Sequence, residues 1–291
     1  MTALIDGSNI VNICYHGFLR FMEKRMGKGY VPVESDLGTY IHFFFQKVRE
    51  YYQGCREVVF CLEGRSSTAW RKSLYPQYKA NRKKDDPQCE LLGRAFEVSE
   101  ELAGLLPGKV MKVDNCEGDD VIYALSRYLS FKKGKIKIVS SDRDLLQIAN
   151  FFPDSVSVFD PIESKVLERD EHIHVRKAIC GDRSDGIKGL KGIGEVTFAR
   201  MLKDDFFWNE VMDRDDNRRE YGILMNVVDL RLFPYSKDAV KAFLAKEWNP
   251  LDKKGVLELF DRYGCMACRE VFLAETVPQI TGRELSASLL L

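Results

Sequence analysis

The feature that most constrains the fold is a pair of acidic clusters set around one helix. EGDD at 117–120 (Glu117, Gly118, Asp119, Asp120) follows an apolar run at 109–113. Val121, Ile122, Leu125 and Leu129 then recur at helical spacings of three and four. A basic turn leads to a second apolar run at 136–139, and SSDRD at 140–144 supplies Asp142 and Asp144. Strand, acidic helix start, strand and acidic turn make the pattern of an α/β sheet whose strand ends share one rim. Both clusters then line one cleft. Five carboxylates so placed repel one another unless cations neutralise them, and hard carboxylate oxygens suit Mg²⁺ or Mn²⁺. Each cluster alone has a plainer explanation, since acids favour a helix's first turn and Asp caps turns. Their recurrence at successive junctions favours a metal centre.

The rest of the chain repeats that grammar. Residues 2–5 read as a buried strand ending in Asp6-Gly7, and 58–62 as a second ending in Glu63-Gly64. An Asp at a strand end is by itself an ordinary turn residue; its repetition strengthens the ligand reading of Asp6 and Glu63. Residues 37–52 form an aromatic-rich core helix, and 156–160 with 164–167 a small strand pair. Hydrophobic residues make up 45% of the 291, enough for a real core. Lys+Arg 44 equals Asp+Glu 44, so any surface for a polyanion must be local. Eight scattered Cys and no signal peptide fit free thiols in a reducing cytoplasm, and no apolar run reaches the length of a membrane span.

Two stretches supply local positive charge. WRKSLYPQYKANRKK at 70–84 holds Arg71, Lys72, Lys79, Arg82, Lys83 and Lys84, no acid, and the interleaved Trp70, Tyr75 and Tyr78. Cations suit phosphates and aromatic faces suit unstacked bases, whereas a solvated basic loop is the plainer fate of a charge run. The interval 65–108 is too long for a simple connection and is expected to form a helical insertion over the cleft. GDRSDGIKGLKGIG at 181–194 gives Asp182 and Asp185, three apart, then Gly189, Lys191, Gly192 and Gly194 before a helix. Such glycines let a backbone approach phosphate, as in helix–hairpin–helix turns that grip duplex without reading sequence. The CxxC of Cys265 and Cys268 lacks a second pair or a nearby His in sequence, and reads as structural thiols rather than a metal or redox site.

LIDGSN, VVFCLEG, YPQYKANR, CEGDDVIYAL, SSDRDLLQI and GDRSDGIKGLKGIG occur in the order seen in 5′-nucleases. The chain thus resembles the flap endonucleases, the phage 5′→3′ exonucleases and the 5′-nuclease domain of bacterial DNA polymerase I. The resemblance is strong over residues 2–203, and LFDRYG at 259–264 extends it weakly. It implies a PIN-like α/β domain, a parallel sheet flanked by helices, with a helical arch at about 65–108. That domain would occupy 1–180, and a helical DNA-binding region with a helix-three-turn-helix motif 181–291. It also implies a stand-alone, monomeric nuclease, metal-dependent and acting as a 5′→3′ exonuclease or flap endonuclease.

By the same resemblance, Asp6, Glu63, Glu117, Asp119 and Asp120 would surround one divalent ion, and Asp142, Asp144, Asp182 and Asp185 a second. Lys79 and Arg82 match arch residues near the scissile phosphate, and Tyr78 a position where an aromatic stacks on a base. Gly192 and Gly194 match the turn that holds duplex, often with a monovalent cation such as K⁺. Three residues depart from the pattern: Glu63 for the usual Asp, Ile13 for a common Arg, and Gly186 for the usual Asn. The substrate implied is branched or 5′-ended DNA, with RNA–DNA hybrid as an alternative. A non-catalytic binder of branched nucleic acid is the rival from another class, and the complete acidic set argues against it.

Overall fold

The computed structural model describes residues 1–81, 87–214 and 216–274, with backbone alone for 87–89. In chain order the first half runs β1 (Thr2–Asp6), α1 (Gly7–Met26), α2 (Leu37–Tyr52), β2 (Glu57–Glu63), α3 (Ala69–Leu74), α4 (Pro87–Leu105) and β3 (Lys109–Val113). Then come α5 (Gly118–Phe131), β4 (Ile136–Val139), α6 (Leu146–Phe151), β5 (Val156–Asp160) and β6 (Lys165–Val166). The rest is helical: α7 (Ile173–Cys180), α8 (Glu195–Met201), α9 (Asp205–Met212), α10 (Asn217–Val228), α11 (Ser236–Ala245), α12 (Lys253–Arg262) and α13 (Met266–Ala274).

The six strands lie in the order β3-β2-β1-β4-β5-β6. The first five are parallel, and β6 closes the edge antiparallel to β5. Alternation explains why the sheet is covered on both faces. Ala3, Ile5, Val58, Phe60 and Leu62 point into a core shared with α1, α2, α4, α12 and α13. Their neighbours Leu4, Val59 and Cys61 point into a second core with α5, α6 and α11. Strands buried on both sides read as unbroken apolar runs, and these do. The strand order reverses between β1 and β4, so the crevice at their carboxyl ends is the switch point where such sheets bind ligands.

Two expected boundaries change. Of the interval 65–108, the segment Pro87–Leu105 does not overhang the cleft. Ala95, Val98 and Leu102 of α4 are buried in the first core, because a parallel β2-to-β3 crossover needs a helix on the sheet. The described part that overlies the crevice is 65–81. The boundary at 180 does not separate cores either, since Val256, Leu259, Phe260 and Phe272 complete the first core and Ala239 and Phe243 the second. A smaller cluster of Ile179, Leu190, Phe198, Met201, Phe207 and Val211 lies within the helical region, with Tyr221 of α10 packed against it.

This packing makes the last described helices part of the sheet's stability. Leu259→Ala should cost about 2–5 kcal/mol. Denaturant unfolding followed by far-UV circular dichroism should show one transition moved to lower denaturant. A separate early transition for the C-terminal helices would show that they are not part of that core.

Candidate active site

At the switch point the ends of β1 and β4 are sewn together. Asp6 caps α1, its Oδ1 accepting from the Asn9 amide at 3.0 Å, while its Oδ2 accepts from Ser140 Oγ at 2.7 Å. Asn9 in turn accepts from the Ser141 amide at 3.0 Å and donates to Ser141 Oγ at 3.0 Å. Asp142 stands at the next turn, where its Oδ1 accepts from the Asp144 amide at 2.8 Å. Asp119 comes from the first turn of α5. Burial, then the Asp142 and Glu63 charges, push the Asp6 carboxyl up to about 6, despite its hydrogen bonds. Burial together with Asp6 and Asp142 drives Asp119 well above the usual carboxylate range. Asp6, Asp119 and Asp142 thus face one another as an under-neutralised set.

Beside them lies a neutralised set. Arg71 of α3 is 3% exposed and reaches down onto α5. Its Nη1 donates to Glu117 Oε2 at 2.7 Å and to Asp120 Oδ2 at 2.9 Å, its Nη2 to Asp120 Oδ1 at 2.6 Å, and its Nε to the Val227 carbonyl at 2.9 Å. Tyr78 Oη donates to Glu117 Oε2 at 2.8 Å, and the Lys79 ammonium pairs with Glu117 Oε1. Burial would raise the Glu117 carboxyl, but Arg71 and Lys79 hold it below its ordinary value. Lys79 also has left-handed backbone (φ 52), fixed by its amide donating to the Asp185 carbonyl at 2.8 Å.

A third set closes the crevice. One carboxylate oxygen each from Asp144, Asp182 and Asp185 lie within 4.8 Å of one another. The Lys177 ammonium sits against all three, paired with Asp144, 2.8 Å from Asp182 Oδ2 and 2.9 Å from Asp185 Oδ2. Burial opposes its charge, yet the three carboxylates hold Lys177 above its ordinary value. Burial also lifts Asp144 to about 6 in spite of Lys177, whereas Lys177 and Ser184 outweigh burial at Asp182 and leave it at about 2. The loop carrying Asp182 and Asp185 is pinned by paired 2.7 Å backbone bonds between Asp182 and Ile187.

The structure therefore gathers Asp6, Glu63, Glu117, Asp119, Asp120, Asp142, Asp144, Asp182, Asp185 and Lys79 around one crevice. Several single assignments change. Asp120 is fully buried with both oxygens on Arg71, so it braces the site and presents no free oxygen to an ion. Tyr78 is 5% exposed and spends its hydroxyl on Glu117, so its ring is no platform for a base. Gly189 is buried with φ 70, and a Cβ there would lie 2.4 Å from the Gly181 nitrogen, so it serves packing. Arg71, in a stretch read as basic and nucleic-acid-facing, is the buried counter-charge. Lys72 is half-buried on α3. Arg82, Lys83 and Lys84 lie outside the described residues.

Lys191, Gly192 and Gly194 are exposed, and a Cβ at Gly192 or Gly194 would meet nothing within 4 Å. Only Gly192, with φ 75, needs glycine for its backbone. Ile13 packs against the first core, and Gly186 is approached by the Gln77 carbonyl, 2.6 Å from where its Cβ would stand. Sequence reasoning missed Lys177. Its signal was a lysine three residues after buried His174 and next to buried Ala178, on the inward side of α7.

Comparison with known proteins shows the family to which this fold belongs. A family model described as the 5′-3′ exonuclease N-terminal resolvase-like domain matches residues 1–178. The chain belongs to the 5′-3′ exonuclease family. Within that family it is 30% identical over 233 residues to a 5′-3′ exonuclease of Mycoplasma pneumoniae, covering 70% of this chain and 76% of that one. It is 31% identical over 246 residues to the thermostable DNA polymerase I of Thermus thermophilus, spanning 79% of this chain and 27% of the polymerase. Among solved structures, the bacteriophage T5 D15 protein co-crystallised with metal ions superposes with a TM-score of 0.57 at 18% identity, covering 91% and 99% of the two chains. A T5 D15 flap endonuclease complex with DNA and metal ions gives 0.56 at 20% identity, covering 89% and 99%. This 5′-3′ exonuclease fold is the PIN-like α/β arrangement that the motifs implied.

The buried Asp6 gives the metal-free protein a testable pH dependence. A folded-state value of about 6 against an ordinary 3.8 favours the protonated form in the native state. The resulting stability is complete below the ordinary value and lost as pH rises through about 6. With chelator present, the stability of wild type relative to Asp6→Asn should fall by up to about 3 kcal/mol between about pH 4 and pH 7. A pH-independent difference in urea titrations would contradict the burial of an ionisable group there.

Proposed function

We propose that this member of the 5′-3′ exonuclease family hydrolyses phosphodiester bonds of 5′-ended or branched DNA, using two divalent ions held in the crevice. The observation that carries this reading is the Asp144, Asp182 and Asp185 cluster, whose carboxylate oxygens lie within 4.8 Å of one another around the Lys177 ammonium that a divalent ion would displace, with the incompletely neutralised Asp6, Asp119 and Asp142 beside it. Both are hard-oxygen donor sets that fit Mg²⁺ or Mn²⁺. The Asp6 set would be completed by Glu63 and Glu117, and Asp142 stands at the junction of the two. Bound ions would supply an activated water and charge stabilisation at the leaving oxygen.

The chain's own residues do the rest. Asp6 is fixed by Asn9 and Ser140 so that its carboxylate faces the crevice. Lys79 holds a positive charge at the crevice mouth, where a scissile phosphate would replace Glu117 as its partner; Arg82 is assigned a similar role. Lys72, Lys83 and Lys84 would guide the 5′ single strand. The exposed Lys191–Gly192–Gly194 turn would carry the duplex backbone without reading bases, with K⁺ at its carbonyls as the monovalent ion. The helical region from 181 onward is then the duplex-holding part, acting in a monomer. The free thiols of the described cysteines support a reducing cytoplasm as the setting, and no described helix is long and apolar enough to cross a membrane.

The test is a 5′-labelled flap, a nicked duplex and an RNA–DNA hybrid, each with and without Mg²⁺. Cleavage should be metal-dependent and leave 5′-phosphate, and the relative rates assign exonuclease, flap or primer-removing preference. Asp119→Asn and Asp142→Asn should each lower single-turnover cleavage more than about 100-fold with DNA binding intact. Near-normal turnover in either variant would remove that residue from the ion-binding set.

Gly194→Val should leave the fold unchanged, because its Cβ meets open space, yet weaken duplex binding by obstructing the approach of a phosphate. Binding measured by fluorescence anisotropy should be salt-sensitive and sequence-tolerant in wild type. Unaltered affinity in Gly194→Val would place the duplex elsewhere.

A further inference from the structure

On the side of the sheet carrying α2, the structure brings a histidine to the lone CxxC. Cys265 directly precedes α13 and Cys268 lies in its first turn. His42 comes from α2, more than two hundred residues earlier. One ligand atom from each of the three lies within 4.8 Å of the other two. His42 Nδ1 is 3.6 Å from Cys268 Sγ. Two corners of a zinc tetrahedron, with Zn–S about 2.3 Å and Zn–N about 2.0–2.1 Å, are likewise roughly 3.6 Å apart. We propose that His42, Cys265 and Cys268 form a binding site for a thiophilic divalent cation, with zinc as its natural occupant, that fastens α13 to α2.

Several observations converge on this. The backbone is shaped for the approach: a Cβ at Gly38 would lie 2.2 Å from the Tyr263 carbonyl oxygen, so only glycine lets the first turn of α2 butt against the end of α12. His42 is four residues after Gly38, on the same helix face, and so stands opposite the cysteines. Cys265 and Cys268 are buried, and both are free thiols. The amides at the start of α13 point toward these sulfurs' end of the helix, which favours a thiolate there. Three protein ligands leave a fourth position. His42 and Cys265 also line a groove of about 680 Å³ with Thr39, Gln46 and Met266, so water or a small anion can complete the coordination from that side. Soft sulfur with imidazole selects against Mg²⁺, which separates this site chemically from the oxygen-lined crevice.

The experiment is a titration of the reduced, EDTA-treated full chain with Co²⁺ under anaerobic conditions, followed by ultraviolet and visible absorption and then by Zn²⁺ addition. One equivalent of Co²⁺ should produce thiolate-to-cobalt charge transfer and intense tetrahedral d–d bands, both bleached by Zn²⁺. Cobalt in the acidic crevice has oxygen ligands only and contributes no such charge transfer. His42→Ala should weaken this binding at least about 10-fold while leaving Mg²⁺-dependent cleavage unchanged. Cys268→Ser should diminish the charge-transfer band. Should Cys268→Ser fail to fold, His42→Ala carries the test, since His42 is only half-buried. Absence of charge transfer in reduced wild type, or unchanged Co²⁺ affinity in His42→Ala, overturns the proposal.

Discussion

The buried guanidinium of Arg71 is the interaction on which the site depends. It joins three separate parts of the chain: α3 above the crevice, the start of α5 through Glu117 and Asp120, and the end of α10 through the Val227 carbonyl. Aromatic rings surround it, with Phe233 5.2 Å and Tyr78 5.8 Å from its guanidinium carbon. Removing one partner from such a group leaves an uncompensated charge in a low-dielectric interior, at a cost of about 3–5 kcal/mol. The helix α3 therefore has little freedom to lift away, and the residues that follow it, Tyr78 and Lys79, are delivered to the rim already positioned.

Lys177 and Lys79 extend the same logic to the rest of the crevice. Nine acidic residues converge there, and the fold answers part of that charge with its own cations. Those cations are unevenly spread: Arg71 and Lys79 lie at Glu117, Lys177 at the Asp144 cluster, and Asp119, against Asp6 and Asp142, is only partly offset by Lys79. On the proposed function, the least neutralised position, rather than the total number of carboxylates, is where an external cation would gain most.

Much of this was legible beforehand because the strands announce themselves. β3 and β5 span 109–113 and 156–160 as read, and α2 spans 37–52, since short Val-rich runs bounded by turn residues and a 3.6-residue period leave little freedom. The acidic residues at strand ends were legible for the same reason. Arg71 and Tyr78 were misread because polarity in sequence does not show which polar groups find buried partners. Lys177 was missed because a lysine on a short helix looks like any solvated one. The His42–Cys265–Cys268 trio was beyond sequence reasoning, since its members come together only when α13 docks on α2. The interval 65–108 was over-read as one insertion because nothing in its composition says that α4 belongs to the sheet.

The short helix α7 joins two regions described separately. Lys177 near its end is anchored to the crevice carboxylates, and the chain leaves it through Gly181 into the loop that leads to the exposed turn at 191–194. If duplex is held at that turn, the pinned segment from Lys177 to Gly192 acts as a gauge. The number of nucleotides between the gripped backbone and the bond facing Asp119 and Asp142 is then a property of the protein's own spacing, and is written nowhere in the base sequence of the substrate.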